Sequence, residues 1–267
     1  MSTLADLFAT TRTEGRAALI GYLPAGYPSV EGSIAALTAM VEGGCDAIEV
    51  GLPYSDPSMD GPTIQAVVEV ALARGTTPDD VFRVVQGVAA TGAPTLVMTY
   101  WNPIERRTVP AFVADLKSAG GCGAILPDIV PDEAGEWIAV AGEQDLDTVF
   151  LVAPSSTDAR IASTVAACRG FVYATSLMGV TGTRTAVDTA GAAIVARVRA
   201  ATDLPVCVGL GVSNGAQAAE VAAYADGVIV GSAFVRALHD APDEAAGVVA
   251  VRRLAEELAA GVRRGRS

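Results

Sequence analysis

Eight short apolar segments recur along the chain, and longer amphipathic segments separate them. Each apolar segment has at most seven residues and is continuously apolar, as expected of a strand buried on both faces of a parallel sheet. The segments span residues 17–23, 47–52, 95–100, 123–127, 148–153, 171–175, 205–210 and 227–231. The pattern therefore predicts eight buried parallel strands.

Helix start and stop signals lie between these segments. Residues 29–43 carry apolar side chains at helical spacing and lead into a Gly-Gly pair, which indicates a helix that begins after Ser29. Further helix starts are predicted at Pro78, Pro110, Pro131, Thr157–Asp158, Asp188 and Gly215. Each strand is followed by at least one helix, and no break in composition divides the chain. We therefore predict an α/β fold, a single (β/α)8 TIM barrel with extra helices, as one domain over residues 1–267.

Composition and charge exclude several classes of protein. The chain of 267 residues has a net charge of −12, which argues against a nucleic-acid partner. It has no apolar run long enough to span a membrane, and its first sixteen residues lack the apolar core of a signal peptide, so we expect a cytoplasmic protein. Four widely spaced cysteines and a single histidine favour free thiols over a metal or redox site.

The loop after the second predicted strand is the richest in candidate chemistry. Glu49 lies inside an apolar strand, where a carboxylate is costly to bury without a reason. Asp60 lies eleven residues later in a loop rich in glycine and proline. Two carboxylates in different environments can have separated pKa values, as paired acid and base roles require. A buried ion pair remains an alternative for Glu49, and an Asp-Gly turn remains one for Asp60.

Three later loops suggest a phosphate site. In a barrel, phosphate is commonly bound by the loops after strands seven and eight, here Gly209–Leu–Gly211 and Gly231–Ser232. Glycine allows backbone amides to approach the anion, and a following helix N-terminus favours negative charge. The loop over residues 176–184 includes Thr181 and Gly182 and has the composition of a mobile flap, although a plain surface loop is the alternative.

Aromatic residues are scarce, yet Tyr22, Tyr100 and Tyr173 each fall near the end of a predicted strand. They could line a pocket for a flat apolar ligand, or they could simply pack in the core. These residues by themselves indicate a phosphate-handling barrel enzyme with two acidic groups, and they leave its reaction open.

Seven segments of the chain together resemble the tryptophan synthase alpha chain family. They are GYLPAGYP (21–28), EVGLPYSDPSMDGPTIQ (49–65), MTYWNPI (98–104), LPDIVP (126–131), GFVYATSLMGVTGTR (170–184), VGLGVSN (208–214) and GVIVGSAFV (227–235). They occur in order through nearly the whole chain, and the segment over 49–65 is highly specific.

The resemblance implies retro-aldol cleavage of indole-3-glycerol phosphate to indole and glyceraldehyde 3-phosphate. It implies that Glu49 is the general acid and base, that Asp60 holds the indole N–H, and that Tyr173 lies beside them. The substrate-binding positions that it implies, together with those from the loop analysis, are Tyr22, Tyr100, Thr181, Gly182, Gly209, Gly211, Gly231 and Ser232. It implies no metal and no organic cofactor on this chain.

The resemblance also implies a partner, a beta chain that carries pyridoxal phosphate (PLP) and receives the indole, in an α2β2 assembly. The loops over 53–62, 101–109 and 127–131 would face that partner. Two alternatives remain open at this stage: a stand-alone indole-glycerol phosphate lyase, and a non-catalytic activator of a beta chain. A phosphoribosyl isomerase is a weaker alternative, because such enzymes do not carry the Glu49–Asp60 loop.

Overall fold

Eight parallel strands form a closed barrel in the computed structural model, which describes residues 3–175, 184–209 and 211–264. Each strand pairs with the next along the chain, and the last pairs with the first. The strands are β1 (Ala18–Pro24), β2 (Ala47–Gly51), β3 (Thr95–Met98), β4 (Gly123–Leu126), β5 (Asp147–Val152), β6 (Val172–Thr175), β7 (Val206–Gly209) and β8 (Gly227–Val230). The predicted barrel is therefore confirmed, and every predicted strand is present within two residues of its expected bounds.

Helices surround this barrel. They are α1 (Leu4–Thr13), α2 (Val30–Glu42), α3 (Pro62–Ala73), α4 (Pro78–Ala89), α5 (Trp101–Arg107), α6 (Val109–Ser118), α7 (Gly135–Glu143), α8 (Asp158–Ala167), α9 (Arg184–Arg199), α10 (Gly215–Ala222), α11 (Ser232–His239) and α12 (Glu244–Arg264). Several begin at the expected capping residues. Ser29 and Thr157 each accept a hydrogen bond from a backbone N–H of the first turn, as a helix N-cap does.

Two predicted helix starts are wrong. The helix predicted from Pro131 begins at Gly135, because residues 131–133 form a turn in which the Ala134 N–H donates to the carbonyl of Val130. The helix predicted from Asp188 begins at Arg184. Proline and aspartate favour turns as readily as helix starts, so neither residue type fixes the boundary by itself.

Apolar side chains form two layers, one on each side of the barrel wall. The outer layer joins the strands to the helices and contains large buried residues such as Phe112, Trp137 and Phe234. The inner layer fills the barrel with every second strand residue, including Ile20, Leu96, Ile125, Val149 and Ile229. Alternation along a strand sends neighbouring side chains to opposite faces, which is why continuously apolar strands serve both layers.

Helix α1 closes the N-terminal end of the barrel. Its Leu4, Leu7 and Phe8 join the inner layer, and Phe8 packs edge-on against Phe171 with ring centroids 6.0 Å apart. The opposite, C-terminal end of the barrel contains a cavity.

The predicted single-domain organisation over the whole chain stays a prediction. Within the part of the chain that the structure describes, no helix combines the length and apolar character that crossing a membrane would require.

Candidate active site

A cavity of about 270 Å³ opens at the C-terminal end of the barrel. It brings together residues from loops and strand ends that are far apart in the sequence. Its described lining residues are Tyr22, Glu49, Met59, Asp60, Gly61, Ile64, Met98, Leu151, Tyr173, Thr175, Gly209, Gly211, Ile229, Gly231 and Ser232. Apart from Tyr100 and the two positions outside the described residues, the lining therefore includes all the site residues predicted from the sequence.

Glu49 is the most unusual polar residue of this cavity. Its side chain is on β2, opposite Tyr22 of β1 in the strand register, and only 1% of the residue is exposed. Neither carboxylate oxygen has a hydrogen-bond partner among the described residues. Burial raises the pKa of Glu49 to about 8, so the carboxyl group is largely protonated at neutral pH. This geometry disfavours the buried ion pair considered above, since neither oxygen of the Glu49 carboxylate has a partner in the part of the chain that the structure describes.

Asp60 lies on the loop between β2 and α3, directly before the Gly61 N-cap of that helix. The side-chain amide of Gln65 donates a hydrogen bond of 2.7 Å to the Asp60 carbonyl, which ties the loop to the first turn of α3. Burial raises the pKa of Asp60, and a hydrogen bond from the Tyr100 hydroxyl opposes that effect. A position just before a helix N-terminus also favours the charged form. Asp60 is thus a half-buried carboxylate in a different environment from Glu49.

Two tyrosines close the inner wall of the cavity, and each needs a glycine beside it. The ring of Tyr22 lies against Gly51, and the ring of Tyr173 lies against Gly209, so a side chain at either glycine would collide with an aromatic ring. Burial raises the pKa of both tyrosines well above its ordinary value, and the charge of Glu49 adds to the effect at both. Asp60 also raises the pKa of Tyr22, so both hydroxyls keep their protons. Gly209 therefore has a packing role in addition to lining the cavity.

Another part of the cavity lining has the features of an anion site. Gly211 has a φ of 68°, a backbone conformation that residues with a side chain rarely adopt. Gly231 and Ser232 form the start of α11, and this helix has no side-chain cap on its first N–H groups. Free N–H groups and the helix dipole at such an N-terminus stabilise a bound phosphate.

Some residues of the cavity were not predicted from the sequence. The apolar part of the lining includes Met98, Leu151 and Ile229. Gln65 binds the backbone of the loop that carries Asp60. The wall residues could have been found from strand alternation, because they share the inward face with Glu49 and Tyr173. Thr181 and Gly182 lie outside the described residues. Tyr100 is buried and contacts the Asp60 loop, but it is not among the described residues that line the cavity.

Known proteins resemble this chain along almost its entire length. The sequence matches the family described as the tryptophan synthase alpha chain over residues 8–263. A tryptophan synthase alpha chain from Thermobifida fusca (strain YX) is 59% identical over 266 residues, which cover 98% of each chain. A solved structure of tryptophan synthase from Mycobacterium tuberculosis has a TM-score of 0.91 at 55% identity and covers 98% of both chains. The alpha subunit from Legionella pneumophila str. Paris has a TM-score of 0.89 at 30% identity, again over 98% of both chains.

The fold and the cavity define a (β/α)8-barrel enzyme that works at the C-terminal face of its barrel. The chain belongs to the tryptophan synthase alpha chain family. It is accordingly a lyase that cleaves indole-3-glycerol phosphate and serves as the alpha subunit in tryptophan biosynthesis. The family also implies a beta-chain partner. A stand-alone lyase and a non-catalytic activator are not favoured by these relatives.

Proposed function

We propose that Glu49 is the general acid and base of the retro-aldol cleavage. Cleavage breaks the bond between C3 of the indole ring and the glycerol phosphate side chain, and it requires a proton at C3. With a pKa of about 8, Glu49 carries that proton at neutral pH and can donate it. The resulting carboxylate then accepts the proton of the adjacent side-chain hydroxyl, and the side chain leaves as glyceraldehyde 3-phosphate. The observation that carries this proposal is that Glu49 is fully buried and lines the cavity, and that its carboxylate has no hydrogen-bond partner among the residues described by the structure.

Asp60 is the group that stabilises positive charge on the ring. Protonation at C3 turns the indole into an indolenine cation, and a carboxylate beside the ring nitrogen lowers the energy of that state. Asp60 lines the same cavity as Glu49, and the Tyr100 hydrogen bond favours its ionised form. Tyr173 lines the same cavity. Its protonated hydroxyl can donate to the reacting side chain.

The substrate spans the cavity from the carboxylates to the start of α11. The indole ring contacts Tyr22, Met98, Leu151 and Ile229, whose side chains line the apolar part. The phosphate binds the backbone around Gly211, Gly231 and Ser232. Thr181 and Gly182 are expected to bind it as well, and they lie outside the described residues. A local site of this kind is required, because the net charge of −12 does not attract an anion.

The partner is a PLP-dependent beta chain, in an α2β2 heterotetramer that works in the cytoplasm, as expected of a biosynthetic family. PLP belongs to that partner, and the alpha reaction proceeds without a metal or organic cofactor. The loops over 53–62, 101–109 and 127–131 form the contact surface. Met59 and Val130, two large hydrophobic residues that are 47% and 38% exposed, lie in these loops. Apolar side chains exposed near the mouth of the site suit a surface that is covered in the assembly.

The first test is indole release from indole-3-glycerol phosphate by the purified chain, alone and with a beta chain added. A slow basal rate that rises with the beta chain is expected. A fast rate that ignores the beta chain would identify a stand-alone lyase. No indole under either condition would refute the proposed reaction.

The second test addresses Asp60. Asp60→Asn keeps the size of the side chain but cannot pair with a cation, so we expect kcat to fall about a hundredfold or more. The KM should change by no more than about threefold, because phosphate binding is retained. Asp79→Asn is the matched control, since Asp79 is an exposed aspartate whose only described ion pair is with Arg107. Unchanged turnover in Asp60→Asn would remove Asp60 from the mechanism.

A further inference from the structure

Tyr100 contacts the Asp60 loop rather than the cavity. The residue is only 4% exposed, and it precedes helix α5 at the N-cap position without making a side-chain cap hydrogen bond. Its hydroxyl accepts a hydrogen bond of 3.1 Å from the backbone N–H of Met59, the residue before Asp60. The Tyr100 side chain does not cap helix α5, so its hydroxyl is available to bind the loop that carries Asp60.

The Tyr100 ring is itself held in place by a neighbour. The rings of Tyr54 and Tyr100 lie 5.4 Å apart at an interplanar angle of 33°. The Tyr54 hydroxyl accepts a hydrogen bond of 3.0 Å from the side-chain amide of Asn102, in the first turn of α5. The loop that carries Asp60 therefore contacts the start of α5 at two points. Tyr54 of the loop contacts Asn102, and the Met59 N–H of the loop contacts Tyr100. An aromatic ring fixed in this way can hold its hydroxyl in one position.

The Tyr100 hydroxyl has both an acceptor role and a donor role. It accepts a hydrogen bond from the Met59 N–H. As a donor toward the Asp60 carboxyl group, it lowers the pKa of Asp60 against the larger effect of burial. Burial raises the pKa of Tyr100 to about 12, so the hydroxyl keeps the proton that it donates. One side chain thus contacts the backbone directly before Asp60 and acts on the pKa of the Asp60 carboxyl group.

We propose that Tyr100 is a positioning residue, whose hydroxyl holds the Met59–Asp60 segment so that the Asp60 carboxylate faces the cavity. The proposal rests on the proposed role of Asp60, and it replaces the expectation that Tyr100 is a wall of the indole pocket. A wall residue would contribute its ring to substrate binding. A positioning residue contributes its hydroxyl to turnover, and it does so through Asp60.

Tyr100→Phe separates the two roles, because it removes the hydroxyl and keeps the ring. We expect kcat near neutral pH to fall about tenfold, with KM changed by less than about twofold. Asp60 must be ionised to act, and without the hydrogen bond its pKa rises, so the acidic limb of the kcat profile should move to higher pH. Tyr27→Phe is the matched control, since Tyr27 bonds the distant His239 and lies outside the cavity lining. A raised KM with unchanged kcat, or no change, would overturn the proposal.

A second readout does not depend on the reaction. Titration of the Asp60 carboxyl carbon by ¹³C NMR, assigned by its absence in Asp60→Asn, gives the pKa in the protein without substrate. We expect the pKa to be higher in Tyr100→Phe by about one pH unit than in the wild type and in Tyr27→Phe. Equal values in all three would overturn the proposal. If the wild type released no indole, the proposed reaction would fail, while this titration would still decide whether Tyr100 controls Asp60.

Discussion

Replacing Glu49 by glutamine should change how the stability of the protein depends on pH. Burial raises the pKa of Glu49 from 4.5 to about 8 in the folded protein, whereas the unfolded chain has its ordinary value. Between these two values the folded state keeps a proton that the unfolded state has released. The free energy of unfolding therefore falls as pH rises through this window, by about 1.4 kcal/mol for each pH unit. Below the window and above it, Glu49 contributes no slope.

The total effect is large for a single side chain. The displacement of the pKa corresponds to about 4 to 5 kcal/mol across the whole window. Glu49→Gln cannot ionise, so it should lose this slope. Among the described residues the Glu49 carboxyl group has no hydrogen-bond partner, and a buried amide in its place adds a cost of about 1 to 3 kcal/mol that does not change with pH. The difference in stability between the variant and the wild type should therefore move in favour of the variant as pH rises, whatever its sign at low pH.

The assay is urea unfolding of the wild type and Glu49→Gln at pH values from about 5 to about 9. Circular dichroism and fluorescence monitor the unfolding. Fluorescence of the buried Trp137 reports the loss of tertiary structure, and circular dichroism reports the loss of helix. Glu136→Gln, on the exposed start of α7, supplies the reference for the loss of one carboxylate. A difference between wild type and Glu49→Gln that stays constant with pH would refute the reasoning, because it would mean that Glu49 ionises in the fold as it does in water.

Two further predictions concern packing. Trp137→Phe should lower the free energy of unfolding by about 1 to 3 kcal/mol in urea, because it leaves the buried Thr148 hydroxyl without its 3.0 Å donor; an unchanged midpoint would contradict this. Gly209→Ala should lower kcat/KM about tenfold, because the added methyl group displaces the Tyr173 ring. Misplacing an active-site group by about 1 Å can reduce the rate by about a hundredfold. Gly135→Ala is the control, since a methyl group there meets no atom within 4 Å, and equal activity of the two variants would argue against a role for the Tyr173 position.

The barrel could be predicted from local patterns because its signals are local. A strand buried on both faces must be apolar throughout, and the residues that cap helices, such as Ser29 and Thr157, act over three positions in the sequence. The cavity followed from the same reasoning, since chain order and parallel pairing put all the strand ends at one face. The wrong helix starts at Pro131 and Asp188 are the points where a residue type fits a turn as well as a helix.

Sequence patterns alone predict the closed barrel, the face that carries the cavity, and the position of Glu49 in an apolar strand. The surroundings of the two carboxylates depend on the tertiary structure. Whether Glu49 has a partner, and whether the Tyr100 hydroxyl meets a substrate or the Met59–Asp60 segment, depends on contacts between residues that are 40 or so positions apart. Such contacts are set by the simultaneous packing of several elements, and no period or cap within one element encodes them. The pKa of a buried group follows from that packing, which is why the type and position of the two carboxylates could be predicted and their electrostatics could not.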